Sequence, residues 1–245
     1  MKPVYDLDKI KFSSDRGSFE RAVELYEKGK VTKFKKSPGE FSAVVLGSEP
    51  YRVWVSPRRH DEGNCTCYLG RNDTLCKHMI AVAIYAVMNG SKLADGDKEF
   101  IEAPRLSGKK GELDAAELSA VKRSITDALK YIKSYSGPSK AWFAYQNSLN
   151  EGCSRLSKII TDLPVSPQTT KILIDLLLRL DEKLCSGGVD DSDGTVGGFM
   201  EEVVGVLKEY ARLDPACVKA FKKLADKKTC FGWEAPLVEI LDNDD

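Results

Sequence analysis

The chain has 245 residues, 42% of them hydrophobic, and balances 37 Lys and Arg against 37 Asp and Glu. That length holds one large domain or two smaller ones, and the zero net charge excludes a protein that coats nucleic acid through bulk electrostatics. The N-terminus, Met1 to Ile10, is too charged for a secretory signal, and the longest apolar run, Met79–Met88, is too short to span a membrane, so a cytoplasmic protein is expected.

The charge is mildly uneven: residues 1–90 carry 15 basic against 11 acidic side chains, and residues 91–245 carry 22 against 26. The polar stretch up to residue 17 is expected to be loosely ordered, with residues 1–14 as a lead-in. Ser18 is a plausible N-cap, and Phe19, Ala22, Val23, Leu25 and Tyr26 make a helical stripe that ends at Gly29. Three extended runs follow, around Val31–Phe34, Phe41–Leu46 and Tyr51–Val55. Ser37-Pro38-Gly39 and Gly47-Ser48-Glu49-Pro50 separate them, which predicts an antiparallel meander of two hairpins. Trp54 lies between Val53 and Val55, as suits a strand with one face on a core.

The meander leads into Cys65-Thr-Cys67, eight residues, and then Cys76-Lys77-His78. Three thiols and an imidazole in so short a stretch form a metal-ligand set, and zinc suits soft thiolates plus imidazole in a closed tetrahedron. Residues two apart on an extended segment face the same side, so Cys65 and Cys67 can turn to one ion. Residues two apart in a helix are about 200° apart around its axis. Cys76 must therefore stand at or before a helix start, with His78 in the first turn, where the positive dipole end favours a thiolate. Zinc with three thiolates and a neutral imidazole sums to about −1, and Lys77 and Arg71 are placed to offset it. Four protein ligands leave no open position for water, which argues against a catalytic ion. The run Met79–Met88 is apolar all round, so one side is expected on the sheet and the other on a surface supplied by the rest of the chain.

The spacing C-x-C-x8-C-x-H resembles the SWIM zinc finger. Ala22–Tyr26 and Gly29-Lys30-Val31 are similar to that family's lead-in helix and first strand, and Tyr51–Val55 to its strand before the cysteines. The resemblance covers roughly residues 15–90. It implies zinc held by Cys65, Cys67, Cys76 and His78, in a module that binds DNA or protein and is often attached to helicases or transposases. No such partner domain is read here, so the finger would serve alone or in trans.

Residues 91–111, where Ser91, Ala103-Pro104-Arg105 and Ser107-Gly108-Lys109-Lys110-Gly111 break the pattern, read as a linker. Beyond Glu112 the pattern is helical: Ala115–Tyr135, Trp142–Leu149, Leu156–Leu163, Thr170–Leu184, Val196–Leu213, Pro215–Ala225 and Ala235–Leu241. No repeat period is clean. The fold class expected is α+β: an N-terminal helix, an antiparallel meander, the zinc knuckle and its helix over residues 15–90, then an all-α, solenoid-like domain over 112–245. The stretch around Asp190–Gly194 resembles the helical region that follows SWIM motifs in bacterial stand-alone proteins.

Asp190-Asp191-Ser192-Asp193-Gly194 invites a calcium reading, but aligned on Gly194 the first ligand position is Val189 and the last is Met200, so a helix-capping acidic loop is the better expectation. Lys33, Lys35, Lys36, Arg58 and Arg59, with His60, form either a phosphate-binding basic face or a solvated hairpin edge. Cys153, Cys185, Cys217 and Cys230 stand at long intervals and are expected as small buried side chains in a reducing compartment. Glycine pairs 187–188 and 197–198 lack the lysine of a phosphate loop, and no nucleophile has a free histidine base, so no enzyme and no small-molecule substrate are expected. Three readings remain open. The zinc module binds DNA or RNA, the chain is a protein-interaction scaffold working through its helical domain without nucleic acid, or, more weakly, it is a zinc-dependent enzyme.

Overall fold

The computed structural model describes residues 2–138 and 142–243, the side chains of Phe143 and Ala144 excepted; Met1 and Asp244–Asp245, at the outer ends of the expected lead-in and helical domain, lie outside the described residues. The chain divides between Phe100 and Ile101 into two compact units.

The first unit runs α1 (Leu7–Phe12), α2 (Arg16–Glu27), β1 (Val31–Ser37), β2 (Glu40–Leu46), β3 (Pro50–Val55), β4 (Gly63–Cys65), α3 (Tyr68–Arg71), α4 (Lys77–Met88) and α5 (Asp95–Lys98). The strands form an antiparallel sheet in the order β1-β2-β3-β4. Alternation puts Phe41, Ala43, Val45, Val53, Val55 and Cys65 on its buried face. That face packs on α4, and α2 and α1 pack on α4 in turn. Hence α4 is buried from His78 to Ile84 and again at Ala86. The second surface expected for this all-apolar helix is supplied by α1 and α2 of the same unit. Full burial of side chains such as Ile80 and Ile84, both 0% exposed, stabilises the unit by about 1.5–3 kcal/mol each.

Two expectations near the N-terminus change. The lead-in is a helix: Asp6 caps α1 by accepting from the Lys9 amide at 2.6 Å, and Leu7, Ile10 and Phe12 are buried. Lys11 made the stretch look polar, yet it is buried and its Nζ donates to the Gly96 and Glu99 carbonyls. The N-cap of α2 is Asp15, whose carboxylate accepts from the Ser18 amide at 2.8 Å, so Ser18 lies inside the helix.

The second unit contains α6 (Ala115–Ala128), α7 (Trp142–Asp162), α8 (Pro167–Cys185), α9 (Thr195–Leu213), a 3₁₀ helix (Pro215–Leu224) and α10 (Ala235–Asp242). Its core includes Ile132, Leu149, Leu156, Ile160, Leu173, Leu177, Val203, Leu207 and Phe221. Helix α9 touches α7, α8, the 3₁₀ helix and α10. The two short helices expected at 142–149 and 156–163 are one, and Gly152 within it is a packing glycine: a Cβ there would lie 2.7 Å from Ile132 Cγ1. The helix expected to reach Tyr135 ends at Ala128, and a turn carries Leu129 and Ile132 into the core.

Residues 91–111 are packed within each unit. Leu93 is buried and Tyr26 donates to the Ser91 carbonyl in the first unit, while Ser107 donates to the Leu163 carbonyl in the second. Cys153 and Cys217 are buried as expected. Cys185 and Cys230 are not: both are exposed and joined in a disulfide, because the loop before α10 crosses the end of α8.

Candidate metal centre

Each ligand is positioned by a local break in regular structure. Cys65 ends β4, opposite Val53 of β3. Cys67 is the N-cap of α3, and Cys76 is the N-cap of α4, which puts His78 in that helix's first turn. The four side chains are buried, and their ligand atoms all lie within 4.8 Å of one another. His78 Nδ1 is 3.7 Å from Cys65 Sγ and 3.9 Å from Cys76 Sγ.

Every sulfur faces a backbone amide. The Cys67 amide donates to Cys65 Sγ at 3.5 Å and the Gly70 amide to Cys67 Sγ at 3.4 Å, and the Met79 amide donates to Cys76. A hydrogen bond from Cys65 holds the Cys76 thiol down against its burial, helped by His78 and the Met79 amide, while the same bond and burial push Cys65 up. The donors that the structure brings to sulfur are these amides.

The His78 ring stacks on Tyr51 with centroids 4.2 Å apart and an interplanar angle of 25°. Its Nδ1 faces the thiols and its Nε2 is buried without a hydrogen-bond partner among the described residues. The donor set passes a simple geometric test. Bonds of about 2.3 Å to sulfur and 2.0–2.1 Å to nitrogen give tetrahedral edges of roughly 3.5–3.8 Å, against 3.7 and 3.9 Å from His78 Nδ1 to two of the sulfurs. The four residues can therefore hold a tetrahedral cation.

Residues 51–86 match the family model of the SWIM zinc finger. The matched SWIM segment begins at Tyr51, the residue stacked on the ligand histidine, and runs into α4 through all four ligands. No curated protein and no solved structure matches the chain.

The other sequence-predicted residues are dispersed. Pairing in register puts Lys35 beside Ser42, Trp54 and Asn64 on the outward face of the sheet, and Thr32 beside Val44 and Arg52 in the next row. Lys36 pairs with Phe41 on the opposite face, and its Nζ donates to Asn89 Oδ1 at the end of α4. Lys33 is exposed, at a register irregularity. Arg58 is exposed, whereas Arg59 makes a bidentate pair with Asp61. His60 leaves the expected basic face altogether. It is 2% exposed, within 3.0 Å of Ser13 Oγ and edge-on to Tyr5, and burial pushes its pKa down to about 4.

The acidic loop serves α9. Asp191 accepts from the Val196 and Gly197 amides at 2.7 and 2.8 Å, Asp193 from the Thr195 amide, and Asp190 from Ser192 and Trp142. These carboxylates are aimed at amides and an indole, as a cap requires. One group escaped sequence reading: Asp181, Cys185 and Cys230 bring their ligand-type atoms together on the second unit. With 45 residues between the cysteines, no spacing signal could have found it.

Proposed function

We propose that the first unit is a nucleic-acid-binding module built around one structural zinc ion held by Cys65, Cys67, Cys76 and His78. The observation that carries the zinc reading is the closed, buried Cys₃His set inside the SWIM-matched segment. Zinc there ties β4, α3 and the start of α4 together, three elements too short to bury a core of their own. Three thiolates and an imidazole select zinc over hard cations.

What supports nucleic acid as partner is the outward face of the sheet. Trp54 is 40% exposed there, with Arg52 and Asn64 beside it and Lys35 two strands away. An exposed aromatic flanked by cations stacks on bases and neutralises phosphates. The acidic strand residue on this face, Glu40, stands at its hairpin edge. A second reading, protein docking on the helical unit, is favoured by Phe231, 45% exposed over a cavity of about 540 Å³.

Titration of labelled single-stranded and duplex oligonucleotides over a range of salt concentrations tests the choice. Two to three phosphate contacts give a log–log salt slope of about −1.5 to −3. Trp54→Ala is expected to weaken single-strand binding most, and Lys35→Ala with Arg52→Ala to flatten the slope. Absence of binding at low salt would leave protein docking as the function.

A further inference from the structure

We propose that Cys185 and Cys230 are a reversible thiol–disulfide site that exchanges with low-molecular-weight disulfides and fixes the loop carrying Phe231 against α9. Cys185 is the last residue of α8, and Cys230 lies between the 3₁₀ helix and α10. Their Cα atoms are 5.7 Å apart, inside the range of about 4.4–6.8 Å that a disulfide spans without backbone movement. Both residues are exposed, so a small disulfide can reach either sulfur.

The loop has a second anchorage that does not depend on the bond. Asp181, one turn before Cys185, accepts from the Cys230 amide at 2.8 Å and from Trp233 Nε1 at 2.9 Å. Trp233 is 4% exposed. Opening the disulfide therefore leaves the pair pre-aligned and the indole seated, which makes closure repeatable. Between these two anchors stands Phe231, which borders two cavities of about 540 and 320 Å³ along the Gly194, Gly197, Gly198 and Gly205 side of α9. The bond sets how far that ring can move.

The exchange balances without any further oxidant. One protein thiolate attacks a small-molecule disulfide, forming a mixed disulfide and releasing one small thiolate. The second protein thiolate then displaces the other half. Two protein thiols and one small disulfide become one protein disulfide and two small thiols, which take up the two protons. Excess small thiol reverses both steps.

The test uses the full chain loaded with zinc, equilibrated in glutathione buffers of graded oxidised-to-reduced ratio, acid-quenched, alkylated and mapped by mass spectrometry. Cys185 and Cys230 are expected to convert together to one intramolecular disulfide, while Cys153 and Cys217 stay reduced. Cys185→Ser is expected to carry one glutathione on Cys230, and Cys230→Ser one on Cys185. Trypsin cleavage after the exposed Lys227 and Lys228 is expected to slow several-fold on oxidation of the wild type and to be redox-insensitive in both variants. The proposal fails if the pair stays alkylatable where a reference dithiol is oxidised, if a preformed bond resists excess reduced glutathione, or if oxidation leaves cleavage unchanged.

Discussion

Gly70 gives the sharpest test of how the metal centre is held. A Cβ at this position would lie 2.5 Å from both the Cβ and the carbonyl oxygen of Cys65, and 2.8 Å from its Cα. None of these atoms can rotate away, so Gly70→Ala must push α3 off β4 by roughly 1 Å to restore ordinary contact. Cys65 and Cys67 sit on the two sides of that displacement, and metal–ligand distances tolerate only about ±0.2 Å. The Gly70 amide also donates to Cys67 Sγ, and loss of such supporting bonds costs a metal site about 10–100-fold in affinity. Gly70→Ala is thus expected to weaken zinc by that factor, about 1.4–2.7 kcal/mol. Competition against a chromophoric zinc chelator at fixed pH measures it. Gly96→Ala is the control, since a Cβ there meets nothing within 4 Å. Unchanged zinc affinity in Gly70→Ala would show that α3 is not packed on Cys65 as described.

Elemental analysis should find one zinc per chain in the wild type and much less in Cys76→Ser and His78→Ala; stoichiometric zinc in both variants would dismiss this ligand set. Chelation should raise backbone hydrogen exchange mainly over residues 60–90, and equal protection with and without zinc would make the ion incidental. His60 should make stability fall in acid. Its pKa is depressed to about 4 in the fold against an ordinary 6.5, so the unfolded chain takes the proton first. Its contribution is whole above pH 6.5 and is lost as pH falls toward 4, by about 3 kcal/mol at most. Urea titrations at saturating zinc should show that loss shrinking in His60→Gln; identical pH profiles would mean His60 is not buried neutral.

What the sequence made legible was what is local. The four ligands fall within fourteen positions, so spacing alone put Cys76 at a helix start and His78 in its first turn. The strands were readable because Val53, Trp54 and Val55 alternate in and out. Features that depend on distant partners were hidden. Lys11 looks like a solvent residue until the carbonyls of Gly96 and Glu99 receive it. His60 follows two arginines and seems basic, yet Ser13 and Tyr5 enclose it. Glycine costs a helix about 1 kcal/mol, yet α7 runs through Gly152, where Ile132 occupies the space a side chain would fill.

The basic residues of β1 show how one backbone irregularity redistributes function. Strict alternation from the buried Val31 would send Lys33 and Lys35 into the core and Phe34 to solvent. Instead the pairing slips between Thr32 and Lys35, and Lys33 takes φ 52°. The slip turns Phe34 inward, where its ring lies 4.6 Å from Tyr85 and 6.0 Å from Phe41, and turns Lys35 outward beside Ser42, in the cross-strand row that leads to Trp54. Turning one aromatic inward thus moves a cation onto the proposed binding face. A left-handed backbone costs an ordinary residue about 1–2 kcal/mol, while glycine adds about 0.5–1 kcal/mol of chain entropy to be lost on folding. Lys33→Gly should therefore stabilise the zinc-loaded protein by about 0.5–1 kcal/mol, and Lys33→Val, β-branched and intolerant of positive φ, should destabilise it by more than 1 kcal/mol, roughly. Urea unfolding compares the two. Equal stability of Lys33→Gly and Lys33→Val would mean that position 33 is not held left-handed and that Lys35 owes its outward place to something other than the slip.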